Sequence, residues 1–169
     1  MHAEESLSPG LTSSSSDHSP DGQWLANEGP ESFLPTDLLS CASKRGHEYA
    51  WRKQDLLTVA DAAEHAGLAS DGWQVQFRTP DGACELCWSS FDPEERRKSE
   101  SWSQYVTRSW QESRQMWQKL FDNANLIVEG KKIFRLIQQT EGQGVLPRDT
   151  LWFVLHFKSA TENKQDPPE

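Results

Sequence analysis

The stretch SWSQYVTRSWQESRQMWQKLF, residues 101–121, decides the fold. At about 100° per residue, its aromatic and aliphatic side chains gather on one side of an α-helix. That side holds Trp102, Tyr105, Val106, Ser109, Trp110, Ser113, Met116, Trp117, Leu120 and Phe121. Ser101 and Gln104 form the S-x-x-Q pattern of a capping box, which predicts where the helix begins. Because three tryptophans on one face need a large apolar partner, we expect the rest of the domain to cover this helix.

A β-hairpin is predicted on the N-terminal side of this helix. Residues 73–79 alternate strictly between apolar and polar side chains, which is typical of a half-buried strand. Pro80-Asp81-Gly82 supplies a turn, and residues 83–90 return as the second strand. Matching the apolar faces predicts the pairs Thr79 with Cys84, Phe77 with Leu86, and Val75 with Trp88. The polar residues Gln74, Gln76 and Arg78 are then expected to face water, with Arg78 opposite Glu85.

The remaining elements follow from shorter patterns. A helix is predicted from Leu56 to Ala66, with Asp55 as its N-cap and Gly67 as the left-handed residue that ends it. Residues 126–129 and 133–139 are interpreted as a second hairpin around Gly130-Lys131, although 133–139 could instead be a short helix. Residues 151–157, LWFVLHF, are apolar on both faces and predict a central strand.

These elements predict an α+β fold with a single domain over residues 46–158. A mainly antiparallel sheet is expected to pack against the long amphipathic helix and one shorter helix. Residues 1–45 hold seven acidic and two basic residues together with many Ser, Pro and Gly, so we expect a disordered acidic arm. Two apolar islets, Trp24-Leu25 and 33–39, could dock on the domain or on a partner. Residues 159–169 are expected to be a flexible tail.

No catalytic or metal-binding motif stands out. Cys84 and Cys87 form a C-x-x-C, but in a strand residues three apart point to opposite faces, so we expect Cys84 in the core and Cys87 on the other face. None of the five histidines has ligand spacing, and His156 in the last strand is interpreted as a semi-buried histidine. We therefore predict no catalytic residues, no cofactor and no metal.

Composition narrows the function classes. The formal net charge is −9, and no Lys/Arg cluster of the kind that binds a phosphate backbone is present, which argues against a nucleic-acid partner. No apolar run reaches the roughly 18 residues of a membrane span, so no membrane association is expected. Three cysteines do not make a disulfide framework, and the first residues, MHAEESLSPG, do not resemble a secretory signal. We expect a cytoplasmic protein.

Five residues are the candidates for binding a protein partner. Most of the eight tryptophans lie on stripes expected to be buried, which leaves Trp24 and Trp51 as the freest. Glu48 and Asp92 are acidic residues near aromatic ones, and Glu94 lies in the charged linker FDPEERRKSE. Acidic inhibitors often meet basic partners through complementary fields. Glu94 lies beside the basic residues of 96–98, so the linker is not a patch of one sign, and the clear acidic bias is in the N-terminal arm.

Several short motifs carry a resemblance to a known family. They are Glu48-Tyr49-Ala50-Trp51, Ala66-Gly67-Leu68 at the end of a helix, Gly72-Trp73-Gln74-Val75, and Glu100-Ser101 followed by Tyr105-Val106 and Ser109. Over residues 47–120 the chain resembles immunity proteins of bacterial polymorphic-toxin systems. Asp71 stands where that family has the first glycine of a pair. The resemblance implies a small cytoplasmic α+β protein that binds and blocks a toxin domain.

The sequence therefore favours a non-catalytic soluble protein-binding module. Two alternatives stay open. A small enzyme would need a concave, aromatic-lined pocket with convergent ionisable groups. A helix-turn-helix DNA-binding protein would read residues 57–68 as its first helix and turn, and would need a recognition helix over 69–78, where the sequence instead alternates as a strand. The sequence does not indicate the oligomeric state.

Overall fold

The structure, a computed structural model, describes residues 29–161. Five strands and five α-helices follow one another with short 3₁₀ turns between some of them. The strands are β1 (Ser43–Arg45), β2 (Glu48–Trp51), β3 (Ala69–Thr79), β4 (Gly82–Phe91) and β5 (Leu151–Lys158). The helices are α1 (Thr36–Cys41), α2 (Leu56–His65), α3 (Trp102–Asn123), α4 (Leu126–Ile133) and α5 (Arg135–Gly142). This architecture confirms the predicted single-domain α+β fold.

The strands form one antiparallel sheet in the order β1-β2-β5-β3-β4. The last strand of the chain, β5, thus enters between β2 and β3, as its two apolar faces predicted. Phe153, Leu155 and Phe157 point to the helices and are buried, whereas Val154 is buried on the opposite face. His156 is half-buried there, as expected.

Helix α3 packs across the sheet through the predicted stripe. Its capping box forms as expected, with the Ser101 side chain accepting from the backbone N–H of Gln104. Trp110 and Trp117 are buried, and the Trp110 indole N–H donates to the carbonyl of Leu68 at 2.7 Å. Small serines let the helix approach β3 closely, because the Ser70 N–H donates to Ser109 Oγ at 3.0 Å. The central expectation of the sequence, that this face points inward, is confirmed.

Helix α2 lies beside α3 and presents its small residues to the core. Val59, Ala60 and Ala63 are buried, and the chain leaves the helix at Gly67, whose φ is +73°. That positive φ explains the predicted glycine stop, since L-residues rarely adopt it. Asp55 is at the N-cap position but makes no side-chain capping hydrogen bond.

The β3–β4 hairpin is longer than predicted, and its register differs. Strand β3 begins at Ala69 rather than at residue 73, and Thr79 pairs with Gly82, not with Cys84. Phe77 pairs with Cys84, whereas Gln74 pairs with Ser90, so the register shifts in between. The prediction assumed a wider turn and a continuous ladder. The tight turn and the irregularity in β4 each move the pairing.

The predicted second hairpin is wrong, because residues 126–142 form helices α4 and α5. The helical alternative for residues 133–139 is the correct one. Gly130, interpreted as part of a turn, lies inside α4 and faces the ring of Phe77 so closely that a Cβ there would collide with it. The Asn125 side chain caps α4 by accepting from the N–H of Val128 at 3.2 Å.

The folded domain begins earlier than residue 46. Residues 30–45 form a 3₁₀ turn, α1 and β1, so the expectation of disorder up to residue 45 is wrong from residue 29 onwards. Leu34 is 4% exposed within the core, and the Trp51 indole N–H donates to the carbonyl of Leu38 at 2.8 Å. The second apolar islet therefore docks on the domain. The first islet, Trp24-Leu25, lies outside the described residues.

The sheet curls strongly, which makes its second face concave. Strands β1 and β3 are separated by two others, so a flat sheet would place them about 14 Å apart. Yet the Arg78 guanidinium on β3 donates to the backbone carbonyl and to the hydroxyl of Ser43, and Arg45 on β1 donates to the carbonyl of Thr79. These hydrogen bonds between β1 and β3 can form only if the β1 edge of the sheet folds back over β3.

Candidate protein interface

The five predicted partner-binding residues do not form one site. Trp24 lies outside the described residues. Glu48 is on the concave face, and its side chain is 42% exposed. Asp92 and Glu94 are exposed on the loop that follows β4. Trp51 is 0% exposed, so the prediction that it is free to meet a partner is wrong.

Trp51 is buried because β2 is an inner strand of the sheet and the Trp51 side chain points to the helices. Its ring meets Phe157 edge-on, with centroids 6.0 Å apart, and stacks beside Tyr49 at 6.1 Å. Residues 30–41, which were expected to be loose, cover it from outside through the bond to Leu38. The sequence could not reveal this cover, because the covering segment looked too polar to fold.

Among residues 29–161, the tryptophan that is more than half exposed is Trp88 on β4. The sequence placed it in the core opposite Val75, but it is 56% exposed, so that assignment is wrong. The register irregularity of β4 lies between Glu85, which still pairs with Gln76, and Ser90, which pairs with Gln74. In that interval Leu86 turns inward and Trp88 turns outward. The Trp88 indole N–H donates to Glu129 Oε2 on α4 at 3.1 Å.

Two further apolar side chains on α4 are exposed. Val128 is 44% exposed and Ile133 is 51% exposed. Glu129, on the same helix, holds the Trp88 ring against α4. We call Trp88, Val128 and Ile133 the Trp88 surface. Trp88 is on β4, whose outer edge pairs with no other strand among the described residues. Val128 and Ile133 are on α4, the helix to which Trp88 bonds through Glu129.

The loop between β4 and α3 is fixed by one arginine. Arg108 on α3 contacts Glu100 Oε1 and Glu112 Oε1, each at 2.8 Å, and donates to the carbonyl of Glu95 at 3.0 Å. The hydrogen bond from Arg108 lowers the pKa of Glu100 to about 2. The hydrogen bonds that Arg108 donates to Glu100 and Glu112 in turn raise the pKa of Arg108. This clamp holds the loop that presents Asp92 and Glu94 only a few residues beyond Trp88.

Glu94 has local partners within the same loop. Its carboxylate accepts from Arg97 at 2.8 Å, and this hydrogen bond lowers the pKa of Glu94. Its backbone N–H donates to Glu112 Oε2 at 3.1 Å. The predicted acidic positions 92 and 94 are therefore exposed on an ordered loop that follows β4, rather than on a free linker.

Glu48 belongs to a separate polar cluster on the concave face. Its Oε1 lies 3.5 Å from Gln74 Nε2, and its Oε2 lies 3.4 Å from Gln76 Nε2 and 3.7 Å from Arg78 Nη2. Arg78 is 5% exposed, and its Nε donates to Gln76 Oε1 at 3.1 Å. Burial lowers the pKa of Arg78, as does the nearby Arg45, while Glu48 opposes the shift. The sequence predicted that Gln76 and Arg78 would face water, which is wrong because the sheet curls over them.

Two surface cavities lie near α4. One of about 330 Å³ is lined by Ile127, Lys131, Glu141, Leu146, Pro147 and Arg148. One of about 210 Å³ is lined by Lys53, Phe121, Ala124, Asn125, Leu126, Ile127, Leu151 and Phe153. Their charged groups are engaged: Lys131 pairs with Glu141 at 2.5 Å, and Lys53 lies 4.0 Å from the centre of the Phe121 ring.

The structure also bears on the DNA-binding alternative and on the placement of the cysteines. Residues 69–79 form β3, so the recognition helix that a helix-turn-helix requires is not there. Within residues 29–161 no group of three or more His, Cys, Asp or Glu side chains could hold a metal ion. Cys84 packs against the core and Cys87 is exposed, as expected for opposite faces. No helix in the described part of the chain is long and apolar enough to cross a membrane.

Comparison of the chain with protein-family models, with curated proteins and with solved structures finds no match.

Proposed function

We propose that this chain is a non-catalytic protein-binding module that neutralises a toxin domain, and that the Trp88 surface is its contact. The observation that carries the proposal is the 56% exposure of Trp88, whose indole bonds to Glu129 on α4, the helix that also exposes Val128 and Ile133. Tryptophan is the residue most enriched among the few that dominate binding energy at protein interfaces. A cluster of large apolar side chains at a sheet edge is typical of a surface that a partner covers.

The loop that follows β4 supports the same proposal. Asp92 and Glu94 lie on a loop held by Arg108, so their positions are set before a partner arrives. Pre-organised contacts lower the entropy that binding costs. Polar side chains around an apolar centre are the usual arrangement of an interface.

The partner class rests on charge and on the family resemblance. Residues 29–161 hold 18 acidic and 16 basic residues, so most of the net charge of −9 comes from the segments outside them. A net acidic chain speeds encounter with a basic partner. The motifs between residues 47 and 120 resemble those of toxin immunity proteins. The proposed partner is therefore a basic toxin domain.

The experiment uses the full chain as bait in a lysate of its own cells, and then each small basic domain that it retains, expressed as a candidate toxin. We expect the chain to bind one such domain and to restore growth of cells that express it. Trp88→Ala should weaken binding roughly 30-fold, the effect of losing a residue worth about 2 kcal/mol at an interface. The matched control is Leu57→Ala on α2, which removes a side chain that is 59% exposed and should leave binding unchanged. Equal effects of the two substitutions, or no rescue by the intact chain, would contradict the proposal.

A further inference from the structure

The concave face brings three side-chain donors to one point. Gln74 and Gln76 lie two residues apart on β3 and so project to the same face, and Arg78 follows with the same spacing. All three approach the carboxylate of Glu48, with Gln74 nearest to one oxygen and the other two nearest to the second oxygen. The donors are therefore arranged for a planar group with two acceptor oxygens.

The Glu48 carboxylate makes only long contacts with these three donors. Its three contacts are 3.4, 3.5 and 3.7 Å long, whereas charge-assisted hydrogen bonds are about 2.7–2.9 Å. The Glu48 side chain is 42% exposed, while that of Arg78 is 2% exposed. Gln76 and Arg78 are thus buried, Gln74 is half-buried, and the carboxylate over them borders solvent.

One donor has no hydrogen-bond partner at all. Arg78 Nη2 is buried without one, although the other two guanidinium nitrogens bond to Gln76 and Ser43. A buried, unbonded nitrogen on a charged group costs free energy, so it favours an acceptor that approaches more closely than Glu48 does.

The charge balance also favours an anion. Arg45 folds over from β1 and lies close enough to lower the pKa of Arg78. The guanidinium groups of Arg45 and Arg78 therefore lie near one another, and Glu48 contacts Arg78 at 3.7 Å. Two neighbouring positive charges attract a further negative group.

We propose that Gln74, Gln76 and Arg78 form a carboxylate-binding cradle that takes the carboxylate of a small organic acid when Glu48 turns outward. The ligand oxygen that replaces Glu48 Oε2 accepts from Arg78 Nη2 and from Gln76, and the second oxygen accepts from Gln74. Glu48 is then a tethered competitor that closes the cradle when no ligand is present. This site is separate from the Trp88 surface and does not depend on the function proposed for it.

The test is a titration of the isotope-labelled full chain with succinate and with acetate, at constant ionic strength. The side-chain N–H resonances of Arg78, Gln74 and Gln76 report binding. We expect saturable shifts with both acids in the wild-type protein. Glu48→Gln removes the competing charge while keeping the side-chain shape, and should tighten binding by about tenfold, the effect of one charge-assisted hydrogen bond. Glu95→Gln, which removes an exposed carboxylate from the loop, should change the affinity less than about twofold.

Loss of a donor gives the complementary measurement. Gln74→Leu changes a half-buried side chain, so the fold should survive, and binding should weaken by about fivefold or more. The proposal is overturned if the three resonances do not saturate, if sodium chloride shifts them equally, if Glu48→Gln binds no more tightly than Glu95→Gln, or if Gln74→Leu binds as well as the wild type.

Discussion

Glu100 is the residue whose ionisation matters most to the loop that carries Asp92 and Glu94. Its side chain is only 11% exposed because it lies under Arg108, which also contacts Glu112. The ion pair spans the junction between an irregular loop and a long helix, so it replaces the backbone hydrogen bonds that a strand or helix would provide there.

A pH dependence of stability follows. The pKa of Glu100 falls from an ordinary 4.5 to about 2 in the folded chain. A lowered pKa means that the carboxylate stabilises the fold fully above the unfolded value, and that this contribution is lost as the pH falls from 4.5 towards 2. We expect the free energy of unfolding in urea to fall less for Glu100→Gln than for the wild type across that pH interval. Glu95→Gln is the control and should follow the wild type. Parallel curves for Glu100→Gln and the wild type would show that this carboxylate does not contribute.

Single residues also mark the limit of sequence reasoning. The sequence ranked Trp51 as free and Trp88 as buried, and the structure reverses both. Neither error lies in the residue itself. Trp51 is covered by residues 30–41, and Trp88 is turned outward by a break in the β4 ladder. Burial of one side chain depends on what the rest of the chain places over it, which no local pattern records.

Among the elements, α3 was predictable because all of its signals are local. The cap at Ser101 and the apolar stripe lie within the helix, and the structure confirms both. The final strand was predictable for the same reason. Helices α4 and α5 were missed because each has eight residues, too few for periodicity to separate a helix from a strand, and because Gly130 suggested a turn.

Gly130 provides a test of how α4 packs. Replacing a mid-helix glycine by alanine ordinarily stabilises a helix by about 1 kcal/mol. At position 130 the new Cβ would collide with the Phe77 ring and press on Ile137, so we expect Gly130→Ala to destabilise the protein by about 1–3 kcal/mol. Denaturant unfolding measures the change.

The matched control is Gly142→Ala at the end of α5, where an added Cβ meets no atom within 4 Å. That substitution should be neutral or slightly stabilising. A stabilised Gly130→Ala variant would mean that α4 does not lie against Phe77 as described.

At the scale of the whole molecule, the sheet divides the domain into two chemically different sides. The helices bury an aromatic core on one face, where Trp73, Trp110 and Trp117 meet at centroid distances of 6.2 and 6.3 Å. The curled second face encloses polar groups around Arg78. The sequence predicted the layer of helices on a sheet. It did not predict the curl, which is evident only from the bonds between β1 and β3.

This asymmetry separates the two proposed sites. The apolar Trp88 surface lies on β4 and α4, whereas the carboxylate cradle lies on the concave face under β1 and β2. A partner bound at β4 would thus leave the cradle accessible. The two sites can be tested independently on the same full-length protein.

The central claim is that a protein partner covers the β4 edge. Hydrogen exchange of the full chain, free and in complex with the toxin domain that it retains from the lysate, measures this directly. We predict that binding slows exchange over residues 82–91 and 126–133, and leaves residues 56–65 of α2 unchanged. Protection of α2 or of β1, with β4 exchanging as fast as in the free protein, would contradict the claim.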